Sequence, residues 1–317
     1  MKNHSSLPPH SNGVTLSLDE LLYYKQQSIH WLPPAKSLWA QISGQHQSKK
    51  LGRGMDFAEV RQYQAGDDIR SIDWRVTART GKAHTKLFTE ECEKPVVLYI
   101  DLSPSMFFGS TLQLKSVQMA HMASLLSWLC IANNDRIGAV IDTGHKLIDI
   151  KPTSRDRGPL TLLQQLIQIH NDTLNQPNQA KSPPASDTSP SSMDSGLQAL
   201  HRLCPKGSEI ILMSDFVRLE DPNSPLLKRL RQHNLVRMIH FSDPLEYGQT
   251  AFRGLERVTN QQKSMWIDFS SRSSRKSIEN KYNQHLNGLK QSCQSLGISF
   301  TSISSNKSLL QQLSGHH

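Results

Sequence analysis

Short unbroken apolar runs alternate along this chain with longer stretches of helical period. Residues 96–100 (Val-Val-Leu-Tyr-Ile) and 209–213 (Glu-Ile-Ile-Leu-Met) read as strands buried on both faces of a parallel sheet. Residues 235–241 and 298–303 give further strands. Residues 115–133 carry Val117, Ala120, Ala123, Leu125, Leu126 and Leu129, interrupted by Lys115, Gln118, His121 and Ser124, and predict a buried helix. Helical patterns also cover 160–169, 196–204, 226–233 and 281–296. Residues 137–141 and 146–150 flank Asp142-Thr-Gly-His145 as a hairpin. Strands alternating with helices predict an α/β fold, a doubly wound, mostly parallel sheet with helices on both faces.

Before this region, Ser17-Leu-Asp-Glu20 has the form of a capping box, so a helix starts near Ser17 and ends before Pro33-Pro34 as a clasp on the main domain. Residues 51–94 lack a helical period and are dense in charge, Gly and β-formers, which predicts strands and turns. Residues 171–192 are rich in Ser, Pro, Asn and Gln and read as a flexible loop. The expected organisation is therefore a tail and helix over 1–50, a β-rich segment over 51–94 and an α/β domain over 95–317.

Composition narrows the classes. The 317 residues are 36% hydrophobic and 20% charged, ordinary for a folded chain. The longest apolar stretch falls short of the roughly 20 residues that span a bilayer, and the polar N-terminus has no signal-like core, so a cytoplasmic protein is expected. Cys92, Cys130, Cys204 and Cys293 stand far apart with no C-x-x-C, which argues against a zinc or redox site. Of the net charge of +9, the excess lies in 218–317, with 14 Lys/Arg against 7 Asp/Glu and no aromatic platform. That reads as a solvated basic face, and nucleic-acid binding is not expected.

Two predicted strands end in aspartate, and ligands of open α/β sheets bind beyond such ends. The first reads Asp101-Leu-Ser103-Pro-Ser105, whose spacing lets a carboxylate and two hydroxyls converge on a hard cation such as Mg²⁺ or Mn²⁺, with Asp215 approaching from the neighbouring strand. A plain helix cap uses the same residue types. The pattern resembles the von Willebrand factor A metal-ion-dependent adhesion site, in which D-x-S-x-S, a loop threonine and a later aspartate hold a divalent cation. Asp101, Ser103, Ser105 and Asp215 match. Met193 stands where the threonine aligns, leaving Asp194 or Ser192 as substitutes. The resemblance implies a partner's acidic side chain completing the metal site.

The stretch from Gly52-Arg-Gly-Met-Asp-Phe to Gly66-Asp-Asp-Ile-Arg-Ser-Ile-Asp-Trp74, followed by Thr77-Ala-Arg-Thr80, resembles the hallmark of a bacterial family called domain of unknown function 58. It runs directly into the aspartate motif, as in that family. The resemblance implies an adaptor in the assembly or maturation of other proteins, working with a MoxR-type AAA+ ATPase. On its own physics, the stretch balances acids and bases. Arg61, Asp67, Asp68, Arg70, Asp73, Trp74 and Arg79 form either a structural network of Arg forks gripping carboxylates or a partner-docking surface. Together these readings predict a non-enzymatic, metal-dependent protein-binding adaptor. The alternatives are a metal-free structural interaction domain and a metal-dependent phosphohydrolase. The last would need a second carboxylate where Ser103 stands, and no G-x-S-x-G, P-loop or G-x-G-x-x-G supports another enzyme class.

Overall fold

A computed structural model describes residues 7–30, 55–64, 66–90, 93–175, 192–249, 252–259 and 264–314. The chain divides into two compact units, one formed by Met1–Gly44 with Lys94–His317 and the other by Gln45–Glu93.

The first helix, α1 (Leu18–His30), begins at the expected capping box. Ser17 Oγ accepts from the Glu20 N–H at 3.3 Å, and Glu20 Oε2 accepts from the Ser17 N–H at 3.4 Å.

In the smaller unit, β1 (Met55–Gln62) pairs antiparallel with β2 (His84–Glu90), with a register shift between Phe57 and Glu59. Between them lie a 3₁₀ turn (Ile69–Ser71) and a helix, α2 (Trp74–Thr80), that the periodicity did not predict. Its ends explain it. Asp73 accepts from the N–H groups of Arg75 and Val76, and Gly81 closes the helix at φ 71°, so caps define seven residues that are too few to show a period.

In the larger unit the apolar runs become one sheet. Its strands are β3 (Pro95–Asp101), β4 (Arg136–Asp142), β5 (Leu147–Thr153), β6 (Glu209–Ser214), β7 (Leu235–Ser242) and β10 (Ser299–Ser304), in the order β10-β7-β6-β3-β4-β5. All neighbours are parallel except the β4–β5 hairpin at one edge. At the bulge of that hairpin a Cβ on Gly138 would lie 2.6 Å from the Ile150 carbonyl, so only glycine permits the close approach. A separate hairpin, β8 (Leu255–Thr259) with β9 (Ser264–Asp268), is antiparallel.

Side chains of β3 alternate between two cores. Val96, Leu98 and Ile100 face a layer containing α1, α3 (Lys115–Ala132), α4 (Arg157–Asn175) and α8 (Leu309–Ser314). Val97 and Tyr99 face α5 (Asp194–Leu203), α6 (Pro225–His233) and α7 (Arg272–Leu296). α3 is buried from Lys115 to Cys130, as a helix apolar on every side must be. α1 packs on it as the expected clasp, with Leu21 and Tyr24 buried, Glu20 Oε1 2.6 Å from His121 Nε2, and the Ser124 hydroxyl donating to the Leu21 carbonyl. The segment 171–192, expected as a loop, starts in helix. Residues 171–175 are the last turn of α4, where the Asn171 amide donates to the Leu16 carbonyl at 2.8 Å and its oxygen accepts the Leu16 N–H at 3.0 Å. Residues 176–191 lie outside the described residues.

Candidate functional site at the strand ends

β6, β3 and β4 are adjacent, and each delivers a carboxylate to the carboxyl edge of the sheet. Asp101 and Asp142 are register partners at the ends of β3 and β4, and Asp215 follows β6 directly. All three are buried. This edge is the ligand-binding side of an open α/β sheet.

Burial obliges these acids to find partners, and each has several. Asp101 Oδ1 accepts from the Ser103 N–H at 2.9 Å and from Arg218 Nη2 at 2.8 Å, while Oδ2 accepts from the Ser214 hydroxyl at 2.5 Å. The same Arg218 nitrogen lies 2.9 Å from Asp142 Oδ2, which also accepts from the Tyr99 hydroxyl at 2.6 Å. Asp215 Oδ2 meets Lys115 Nζ at 2.9 Å, and the ammonium reaches on to Glu246 Oε1 at 2.5 Å. The chain brings Arg218 back to the cluster through Phe216, a buried residue at φ 56°, a strained angle for a bulky side chain. Asp243 fastens the rim, accepting from the Ser110 N–H at 2.8 Å and the Ser305 hydroxyl at 2.6 Å.

The electrostatics follow from burial and pairing. Burial raises the Asp101 carboxyl against the opposing pull of Arg218. Burial also works upward at Asp215, but Lys115 outweighs it and leaves that carboxyl below its ordinary range. Burial likewise lifts Glu246. Desolvation opposes the charge on Lys115 and Arg218, yet their carboxylate partners hold both above their ordinary values. His240, stacked near Phe216, is pushed by burial down to about 3 and stands neutral.

Of the expected ligands, Asp101, Ser103, Ser105 and Asp215 come together. The Ser103 and Ser105 hydroxyls are 3.3 Å apart, and Ser105 helps hold the Asp215 carboxyl low. Asp194 does not join them. It opens α5 as an exposed residue with its N–H on Ser192 Oγ, and Met193 is buried in the apolar layer beside it. Asp142, Tyr99, Lys115, Arg218, Ser214 and Glu246 complete the centre and were not expected. The repeated strand-end aspartate and a lone lysine opening an apolar helix were the available signals.

This arrangement does not fit a resident Mg²⁺ or Mn²⁺. Three donors already occupy Asp101, an ammonium occupies Asp215, and two fixed cations would repel a third. Among the described residues, no group of three or more His, Cys, Asp or Glu is placed to hold a metal.

In the smaller unit, the expected Arg network forms in part. Arg61 Nη2 pairs with Asp67 at 2.7 Å, whereas Asp68 accepts from the Arg70 backbone N–H and Asp73 caps α2 while meeting Lys86 at 3.4 Å. Arg70, Arg79 and Trp74 are exposed, and neither arginine pairs with a carboxylate among the described residues.

Fold and site define a mixed α/β protein with a mostly parallel six-stranded sheet and a carboxylate centre at its strand ends. The chain belongs to the family described as Protein of unknown function DUF58, which it matches over residues 59–287. It is 30% identical over 125 residues to uncharacterized proteins of Mycobacterium bovis and Mycobacterium tuberculosis, a match that spans 39% of this chain and 39% of those relatives. Among solved structures it is similar to the conserved hypothetical protein BatB from Bacteroides thetaiotaomicron, with TM-score 0.40 and 14% identity over 70% of this chain and 94% of that one. It is also similar to an uncharacterized membrane spanning protein from Vibrio fischeri, with TM-score 0.21 and 15% identity over 69% and 96%.

Proposed function

We propose that this chain is a non-enzymatic adaptor or scaffold domain of the von Willebrand A-like kind, binding a protein partner at the strand-end surface. The observation that carries this reading is the ion pairing of the three strand-end carboxylates and of Glu246. Asp101 and Asp142 share Arg218, and Asp215 and Glu246 share Lys115. A catalytic nucleophile or base needs an uncommitted oxygen facing the substrate. This centre instead builds a rigid platform. Beside it, Val217 is 64% and Phe108 36% exposed, apolar contacts of the kind a protein partner covers.

The family resemblance supports a MoxR-type AAA+ ATPase as that partner, in the assembly or maturation of other proteins. The test is binding of the purified chain to such an ATPase, read by biolayer interferometry, alongside turnover of p-nitrophenyl phosphate. Val217→Asp should weaken binding at least about tenfold with an unchanged melting temperature, since one well-packed apolar contact carries about 1.4 kcal/mol or more. Phosphate release that Asp101→Asn abolishes would replace this reading with the phosphohydrolase.

A further inference from the structure

We propose that Lys115 and Arg218 are built-in counter-cations that take the place of a divalent ion, so that the strand-end site is assembled and works without metal. The inference rests on reading these strand ends as the working surface.

The placement of Lys115 argues for it first. Lysine is among the residues least often buried, and a cation at a helix N-terminus faces the unfavourable end of the helix dipole. Lys115 is fully buried and is the first residue of α3. Helical side chains lean toward the N-terminus, so from this position the ammonium reaches back to the strand ends, where Asp215 Oδ2 and Glu246 Oε1 receive it. The positive charge sits where those carboxylates require it.

Arg218 completes the argument from the other side. Its side chain is 10% exposed, and one nitrogen touches both Asp101 and Asp142. Asp101 and Asp215, which the metal-site pattern would assign to one ion, are each held by a different protein cation. The Ser103 and Ser105 hydroxyls bond each other, Ser105 also favours the charged form of Asp215, and the Met193 side chain supplies no oxygen where the pattern has its threonine. A divalent ion entering here would have to displace two buried charge-assisted contacts and sit beside both displaced cations.

The experiment is calorimetric titration of the full chain with MgCl₂ and with MnCl₂, and thermal melting in cation or chelator. Wild type should give no saturable heat at millimolar cation, and its melting temperature should move by less than about 1 °C between the two conditions. Arg218→Met should melt several degrees lower in chelator and recover part of that loss in Mg²⁺, because Asp101 and Asp142 are left without their counter-charge. Lys115→Met is the companion if Arg218→Met does not fold. Saturable 1:1 binding in wild type, lost in Asp101→Asn, would overturn the inference while leaving partner binding untouched. A folded Arg218→Met protein as stable as wild type would overturn it too. Failure of ATPase capture, by contrast, bears only on the proposed function.

Discussion

Gly196 shows how tightly single residues hold the site. A Cβ there would lie 2.4 Å from Cε2 of Tyr99, a fully buried ring whose hydroxyl bonds Asp142 and is 3.2 Å from Arg218. The ring has no room to retreat, so Gly196→Ala should cost about 1 to 3 kcal/mol by overpacking, measured by urea denaturation. A neutral result would mean that α5 shifts freely over the sheet. The sequence marked Asp101, Ser103, Ser105 and Asp215, because a short spacing and a strand end are local signals. It did not mark Lys115 or Arg218, whose partners are 100 and 117 positions away in the chain. Spacing along a sequence carries no trace of an ion pair closed by the sheet.

At the scale of elements, the buried strands and their helices were legible because each is a long apolar run or a strong period. Helix α2 was not, since Asp73 and Gly81 define it through backbone capping. Helix α1 was visible from its capping box, but its grip was not. The capping box marks Glu20 but not its second contact: its other oxygen is buried against His121, 101 positions away in the chain. Glu20→Ala leaves the buried His121 nitrogen without its hydrogen-bond partner and removes the capping-box acceptor of Ser17, and should destabilise the larger unit by roughly 1 to 3 kcal/mol. Equal urea midpoints for wild type and variant would show that α1 contributes no stability through this contact.

For the molecule as a whole, the burial of His170 and His240 contributes a response to acid. Burial pushes His170 down to about 4 and His240 down to about 3, so both are neutral in the folded chain at pH 7. The unfolded chain takes up their protons from about pH 6.5 downward and the folded chain does not. Their contribution is therefore full above about pH 6.5 and is lost as pH falls toward 4 and 3, at up to about 1.4 kcal/mol per pH unit for each. Denaturation at pH 7 and pH 5 should show this slope, and His170→Gln should flatten it. A slope unchanged in that variant would show that His170 does not supply it; Asp215, whose carboxyl is lowered, loses its contribution only on acidification beyond this range. No helix among the described residues is long and apolar enough to cross a membrane.

The clasp also has a consequence for how the chain is made. α1 leaves the ribosome early, yet its anchors are far downstream: Leu21 waits for Ser124, 103 positions later, and Leu16 for Asn171, 155 positions later. The smaller unit, Gln45–Glu93, is synthesised entirely within that interval and holds the sequence-local hairpin of β1 and β2. Contacts this distant in sequence close slowly, because loop closure precedes their reward. During synthesis the second unit can be complete while the apolar stripe of α1 is still uncovered, and the anchors of α1 on α3 and α4 are in place only when residue 171 has emerged.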